Sequence, residues 1–244
     1  MIEFDHVRRD YGQKTALSEL TLTVRPGEVF AFLGPNGAGK TTTIKLLVGL
    51  LRPSQGSIRV SGHDITTATR AANSVVGYVP DEPFLYDKLS GREFLQFVAD
   101  MYNLSPDVTK ANLAREIDHF QLADFVDQLA ETYSHGMKQR LVFAAAMLHD
   151  PAVLVLDEPM VGLDPRSMRI VKDLLKEKAQ QGITVFMSTH TLHIAEEIAD
   201  RIGIIDQGVL KFLGTLAELR RERSLPETSL ENLFLQLTTS NGAD

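Results

Sequence analysis

The sequence has no cysteine, no excess of basic residues and no long apolar run, and each of these absences excludes a class of function. Without cysteine there is no disulfide framework and no thiolate or zinc–cysteine chemistry, which fits a reducing compartment. A net charge of −7 with scattered Lys and Arg argues against a nucleic-acid-binding surface. No apolar stretch approaches the roughly 18 residues that cross a bilayer, and nothing at the start resembles a signal peptide. We therefore expect a soluble chain that reaches a membrane only through a partner.

The N-terminal segment has the alternating pattern of strands that are buried on one face. Apolar side chains alternate with polar ones at Ile2 and Phe4, across 20–24, and again across 57–60 before a Ser-Gly turn. The sequence therefore predicts a small antiparallel β layer.

Short, nearly continuous apolar runs with helical patterns between them follow in the rest of the chain, and they predict an α/β fold with a parallel sheet covered on both faces. The strand runs are 29–33, 75–79, 153–156, 184–187 and 204–205. The helical patterns include 166–181, closed by Gly182, and 192–202, with Ile194, Ala195, Ile198 and Ile202 on one face.

Between residues 88 and 149 the strand signal disappears and apolar residues recur at helical spacing, which predicts an inserted helical subdomain. We expect one domain over residues 1–237. Its core with the β layer would comprise 1–87 and 150–214, and 215–237 would be a C-terminal helical extension. In that extension Thr228 and Glu231 fit a capping box, and 238–244 is expected to fray. The apolar stripe of the tail helix is Leu230, Leu233, Phe234 and Leu237.

A glycine-rich loop, GPNGAGKTT, lies between a strand pattern and a helical pattern and is typical of a nucleotide phosphate site. Its glycines let backbone N–H groups turn toward phosphates, Lys40 adds a positive charge, and the Thr41 hydroxyl can ligate Mg²⁺. The helical pattern continues to Leu51, before Pro53, and its N-terminus would face the phosphates. The predicted phosphate-contacting residues are Gly34, Pro35, Asn36, Gly37, Ala38, Gly39, Lys40, Thr41 and Thr42.

Two acidic residues, Asp157 and Glu158, follow the apolar run 153–156, at the sheet edge where open α/β sheets bind their ligands. Asp157 can hold Mg²⁺, and Glu158 can orient or deprotonate an attacking water. Such a pair can also be a structural cap. Together with the phosphate loop, it indicates nucleotide hydrolysis.

These motifs, in this order, resemble the nucleotide-binding subunit of an ATP-binding cassette (ABC) transporter over nearly the whole chain. Tyr11 stands where that family has an aromatic residue on adenine, and His190 where it has the switch histidine. The segment YSHGMKQR at 133–140 resembles the signature motif, and 162–165 resembles the D-loop. The resemblance implies a P-loop NTPase (RecA-like) core.

Each motif also has an interpretation that needs no family. Ser134 fits an N-cap and Gly136 the N-terminus of an ordinary helix. Tyr11 fits a surface turn, and Asp164-Pro165 the start of a helix. A histidine at a strand end, like His190, is common by chance, although it can donate to a γ-phosphate there.

The resemblance implies a head-to-tail pair of subunits, homodimeric or heterodimeric. ATP would be held between the Lys40 loop of one subunit and Ser134 and Gly136 of the other, so that ATP binding closes the pair and hydrolysis releases it. It further implies Mg²⁺-dependent ATP hydrolysis, a polytopic membrane permease as partner, and a peripheral position on the cytoplasmic face of the cell membrane. No nucleic-acid partner is expected.

The chain departs from the family pattern at two motifs. Asp81 stands where glutamine is usual; it can ligate Mg²⁺ but adds negative charge, and Glu82 leaves the assignment open by one position. In the signature, His135 and Met137 replace a glycine and a glutamine, whereas Ser134 and Gly136 are kept.

We expect the chain to drive an exporter. The permease is expected to dock at 81–97, where Phe84, Leu85 and Tyr86 form an apolar cluster that fits a core role equally well. The alternatives are a soluble ABC ATPase that acts on ribosomes or DNA, and a regulatory nucleotide-binding module without hydrolysis.

Overall fold

The computed structural model describes residues 1–222 and 229–238. Its strands are β1 (Ile2–Tyr11), β2 (Lys14–Val24), β3 (Val29–Leu33), β4 (Gln55–Val60), β5 (His63–Asp64), β6 (Val76–Val79), β7 (Val153–Asp157), β8 (Thr184–Thr189), β9 (Arg201–Asp206) and β10 (Val209–Gly214). Its α-helices are α1 (Lys40–Leu47), α2 (Thr69–Asn73), α3 (Gly91–Met101), α4 (Pro106–His119), α5 (His135–Met147), α6 (Pro165–Gln180), α7 (Leu192–Ile198), α8 (Leu216–Glu222) and α9 (Leu230–Thr238), with a 3₁₀ turn at Ala130–Thr132.

The N-terminal strands form an antiparallel sheet in the order β2-β1-β4-β5, which confirms the predicted β layer. The side chains of its inner face are buried and pack on the larger sheet, where the Phe4 and Phe186 rings lie 6.2 Å apart. The two sheets are therefore layers of one core.

The larger sheet has the strand order β10-β9-β3-β8-β7-β6, and the strands from β9 to β6 run parallel. Both faces of β3, β7 and β8 are buried, which explains the apolar runs 29–33, 153–156 and 185–187 within them. Because the strands are parallel, Leu33, Asp157 and Thr189 end at the same edge. This edge carries the candidate site.

Two helix predictions were too long. The predicted helix 192–202 ends at Ile198, and Ile202 lies in β9, where it pairs with Ala31. The hydrogen bonds that β9 makes with β3 outweigh the helical spacing of the isoleucines. Asp200 fixes the start of β9, because its side chain accepts from the Val29 N–H and its own N–H donates to the Val29 carbonyl oxygen. The first helix ends at Leu47 rather than near Leu51 because Gly49, at φ 74°, turns the chain.

Helices α3, α4 and α5 form the helical insert between β6 and β7. The capping box of Ser90 and Glu93 begins α3, and Ser134 caps α5, its Oγ accepting from the Met137 N–H at 3.3 Å. At the junction with the sheet, α5 packs so closely on β6 that a Cβ on Gly77 would lie 2.3 Å from the carbonyl oxygen of Ala146.

The tail helix α9 packs on the core through Leu230 and Leu233, which are buried. Phe234 and Leu237 lie partly buried beside them, so the predicted apolar stripe is confirmed. Ser229 Oγ accepts from the Asn232 N–H at 3.4 Å, whereas Thr228 of the predicted capping box and residues 239–244 of the expected frayed end lie outside the described residues. Among the residues described, no helix has both the length and the apolar character needed to cross a membrane.

His149 joins the helical insert to the sheet. Its ring stacks on Tyr102 with centroids 3.7 Å apart, and its Nε2–H donates to the carbonyl oxygen of Val76 at 3.1 Å. Burial lowers the pKa of His149 to about 4, against the opposing effect of the Val76 hydrogen bond. The folded protein therefore favours the neutral ring.

We expect the free energy of unfolding to fall as the pH is lowered from the ordinary histidine pKa of 6.5 toward about 4. In this range His149 is protonated in the unfolded chain but stays neutral in the folded protein, so protonation favours unfolding. The loss is up to about 3 kcal/mol. Urea unfolding at several pH values measures it, and His149→Gln, which keeps a donor for Val76, should flatten the curve. An equally steep curve in the variant would contradict the assignment.

Candidate functional site

A cavity of about 870 Å³ opens at the carboxyl edge of the larger sheet, in front of β3. Eleven of the residues that the sequence predicts for the site line it, and it is bordered also by residues that were not predicted. The predicted lining residues are Tyr11, Pro35, Asn36, Gly37, Gly39, Lys40, Thr41, Thr42, Asp81, Glu158 and His190. Gly34, Ala38 and Asp157 are buried behind the surface, and Ser134 and Gly136 lie outside the lining.

The glycine-rich loop connects β3 directly to α1 and forms the floor of this cavity. Gly39, at φ 113°, makes the turn into the helix. At Gly34 there is no room for a side chain, since a Cβ would lie 2.5 Å from the carbonyl oxygen of Ile205. The first residues of α1, whose N–H groups have no partner within the helix, therefore line the cavity, where an anion can bind.

Lys40 is buried, and its ammonium group is held at the cavity wall. Nζ donates to the carbonyl oxygen of Gly34 at 2.8 Å and of Pro35 at 3.4 Å, and it lies 3.7 Å from Glu158 Oε1. This positive charge therefore stands between the loop and the acidic pair.

Glu158 has an unusual backbone, with φ 47° in the left-handed region. Its N–H is held by Ser188, at 3.1 Å from the carbonyl oxygen and 3.3 Å from Oγ. The carboxylate, only 12 % exposed, lies 2.9 Å from His190 Nδ1 and accepts from the His190 N–H at 3.2 Å. Lys40, Glu158 and His190 are thus connected through one carboxylate.

Asp157 lies beneath Glu158 and is 3 % exposed. Burial raises the pKa of its carboxyl, and the charges of Asp81 and Glu158 add to this, although the hydrogen bond from Ser188 Oγ at 2.5 Å opposes it. Ser188, which was not among the predicted site residues, contacts both acidic residues.

Asp81 follows β6, lines the cavity and lies near the carboxylates of Asp157 and Glu158. Burial raises the pKa of Asp81, and repulsion from Glu158 and Glu82 raises it further. The carboxylates and the Thr41 hydroxyl give this side of the cavity several oxygen atoms and a negative charge. Oxygen ligands of this kind are the ones that Mg²⁺ prefers. Residues 1–222 and 229–238 contain no group of three or more His, Asp or Glu side chains placed to hold a metal ion by themselves, so Asp157, Asp81 and Thr41 fit Mg²⁺ only in the usual way, as a few ligands that share the ion with substrate phosphates.

The far end of the cavity is formed by the β1–β2 hairpin. The Tyr11 ring is 45 % exposed and has the Arg9 guanidinium 4.7 Å from its centroid. An exposed aromatic ring at the open end of a phosphate site can stack on a base. The unpredicted lining residues on this side are Lys14, Thr15 and Ala16.

Gln207 also lines the cavity, from the turn between β9 and β10. The Gly208 N–H donates to the carbonyl oxygen of Ala38, and the Ser18 N–H to that of Gly208. Gln207 and Gly208 both have positive φ, 49° and 76°, as a two-residue hairpin turn requires. Because Asn, Asp or Gly is the usual first residue of such a turn, Gln-Gly is a weak sequence signal for the turn and for β10. Val161 completes the lining.

Three comparisons with known proteins bear on this site. Residues 17–161 match the family described as ABC transporter. The linearmycin resistance ATP-binding protein LnrL of Bacillus subtilis is 37 % identical over 219 residues, which is 90 % of this chain and 70 % of the relative. The Nod factor export ATP-binding protein I of Paraburkholderia xenovorans is 37 % identical over 207 residues, 85 % of this chain and 68 % of the relative. A solved ATP-binding subunit of an ABC transporter superposes with a TM-score of 0.92 at 32 % identity, over 97 % of this chain and 99 % of that one.

Proposed function

This chain belongs to the ABC transporter family as an ATP-binding subunit, and from the geometry of its cavity we propose that it hydrolyses ATP with Mg²⁺ to drive a separate membrane permease. The observation that carries the proposal is that Lys40 and His190 both contact the Glu158 carboxylate, beside the phosphate loop. Since a loop alone only binds phosphate, this convergence supports hydrolysis.

The proposed chemistry is attack of water on the γ-phosphorus of ATP. Glu158 accepts the proton of the water, the bond to the bridging oxygen of ADP breaks, and phosphate leaves. Lys40 and the N–H groups of 34–42 bind the phosphate oxygens, and His190 donates to the γ-phosphate. Tyr11 stacks on adenine. Thr41, Asp157 and Asp81 would hold Mg²⁺, which neutralises charge on the β- and γ-phosphates when bound.

The proposed active unit is a pair of subunits. Ser134 and Gly136 lie at the exposed N-terminus of α5, outside the cavity of their own chain. A helix N-terminus with an N-cap serine suits an anion, so we assign these residues to the γ-phosphate held by a second subunit. The pair would then close on ATP and open after hydrolysis.

We assign the permease contact to the segment after β6. Phe84 is 74 % exposed and packs edge-on against Tyr86, whereas Leu85 is buried in the core. The predicted cluster thus divides into two exposed rings and one core residue. Exposed aromatic rings in contact with each other are typical of an interface. Export as the direction is supported by the relative named for Nod factor export.

Phosphate release by the purified chain tests the hydrolysis, with Mg²⁺ and then with excess EDTA. Release that needs Mg²⁺ is expected; ATP binding without release would favour the regulatory module instead.

Gentle isolation from native membranes should recover a polytopic protein. Salt-sensitive binding to nucleic acid at physiological ionic strength would favour the soluble alternative.

Replacing Asp81 with glutamine should raise the Mg²⁺ concentration needed for half-maximal hydrolysis by about 3- to 10-fold, because Mg²⁺ affinity falls when a carboxylate ligand becomes a neutral amide. Glu82→Gln is the matched control, and it also settles which of the two carboxylates has this role. ATPase activity and Mg²⁺ dependence equal to those of the unaltered protein would contradict the altered magnesium contact.

A further inference from the structure

The histidine that departs from the signature pattern contacts a second motif of its own chain. His135 is the first residue of α5, and its side chain reaches the β7–α6 loop, residues 158–164. A glycine at this position would leave that loop without the contact. The departure is therefore an added interaction.

The contact is specific in both hydrogen bonding and shape. His135 Nε2 lies 3.2 Å from the carbonyl oxygen of Val161, and because a carbonyl only accepts, Nε2–H is the donor. The imidazole covers Gly162, where a Cβ would lie 2.7 Å from the ring Cδ2. With φ 74°, Gly162 takes a backbone shape that favours glycine and brings the loop against the ring.

The contacted loop is part of the wall of the cavity. It starts at Glu158, whose carbonyl oxygen accepts from the Val161 N–H at 3.2 Å, and Val161 itself lines the cavity. A second bond from α5, from buried Gln139 Nε2 to the carbonyl oxygen of Pro159 at 3.3 Å, holds the start of the loop. A displacement of the N-terminus of α5 would therefore be transmitted to Glu158 through Pro159 and Val161, which lie one and three residues after it.

We infer that His135 is a positioning residue that couples the two ATP sites of the dimer, by tying the signature helix to the β7–α6 loop of the same subunit. The inference rests on the proposed function, in which the N-terminus of α5 contacts the γ-phosphate held by the partner. ATP in the partner's site then favours the loop arrangement that positions Glu158 in this subunit. Such differential binding is the physical content of cooperativity.

The test compares three variants at this position. His135→Ala removes the donor and the ring, His135→Gln keeps an amide N–H at a similar reach, and His135→Asn carries the same amide on a shorter chain. His63→Ala alters an exposed histidine on β5, at the edge of the antiparallel sheet, and is the control. Phosphate release against ATP concentration gives the Hill coefficient, and binding of fluorescent mant-ADP reports on the cavity of one subunit.

A two-site dimer has a Hill coefficient of up to about 2, and we expect the unaltered chain and His63→Ala to approach it. His135→Ala should fall to about 1 with mant-ADP affinity changed less than about twofold, which is the expected signature of lost coupling. His135→Gln should restore cooperativity and His135→Asn should not. If the alanine variant fails to fold, the glutamine and asparagine variants decide the same question.

The inference is overturned if His135→Ala keeps the Hill coefficient of the unaltered chain, if glutamine behaves like alanine, or if the unaltered chain shows no cooperativity. An unaltered chain that releases no phosphate would instead overturn the proposed function, and the coupling with it. A merely structural role for His135 would change thermal stability and leave the Hill coefficient in place.

Discussion

Replacing Glu158 with glutamine is expected to lower kcat for ATP hydrolysis by about 10²- to 10⁴-fold while ATP binding is retained. Glutamine has the same shape and keeps an oxygen for the Lys40 ammonium, but it cannot accept the proton of the attacking water. Single-turnover phosphate release and equilibrium binding of ATP measure the two effects separately. ATP should also hold the variant as a dimer, because hydrolysis no longer releases it.

Glu177→Gln is the matched control for that variant, since it removes an equal charge from the far end of α6. It should leave hydrolysis unchanged. Near-normal turnover in Glu158→Gln would remove Glu158 from the role of general base, and another group would have to take the proton.

The second large effect is expected at Lys40, where alanine should weaken ATP binding by about 10- to 100-fold, as the loss of a charge-assisted bond implies. Alanine removes the ammonium that the carbonyl oxygens of Gly34 and Pro35 hold in place. It also leaves the Glu158 carboxylate without its nearby cation, so kcat should fall as well. Isothermal titration with ATP in the absence of hydrolysis gives the affinity.

Lys45→Ala controls for the loss of positive charge, because Lys45 is exposed on the same helix α1. It should bind ATP like the unaltered chain. Equal affinities for the two alanine variants would show that Lys40 is not a phosphate ligand.

The parts of the fold and site that depend on local sequence could be predicted. Buried parallel strands need apolar residues on both faces, so the runs at β3, β7 and β8 were visible without a structure. The phosphate loop is defined by its own residues and their order. Helix caps at Ser134 and Asp164 were visible for the same reason, since a cap bonds only to residues two or three further on.

The remaining features depend on contacts between distant residues. The spacing of Ile194, Ile198 and Ile202 is helical, yet pairing with β3 makes Ile202 part of a strand. The bond from Ser188 to Asp157 follows from the register of β7 against β8, in which the two residues are paired, and no single segment encodes that register. The number of residues between two positions in the sequence does not tell whether they are paired across neighbouring strands.

The support of the phosphate loop has a consequence for how the protein is made. Strand β3 lies between β8 and β9, and the carbonyl oxygen of Ala38 bonds to the N–H of Gly208. A ribosome that has delivered the glycine-rich loop must therefore translate some 170 further residues before the loop gains these neighbours. Until β8 is made the apolar β3 has no partner on either edge, and until β9 is made it lacks one of the two, so nascent chains halted before β9 are expected to need chaperones and to lack nucleotide affinity. The glycine-rich loop is made early, and its cavity is complete only after β9 and β10 have been made.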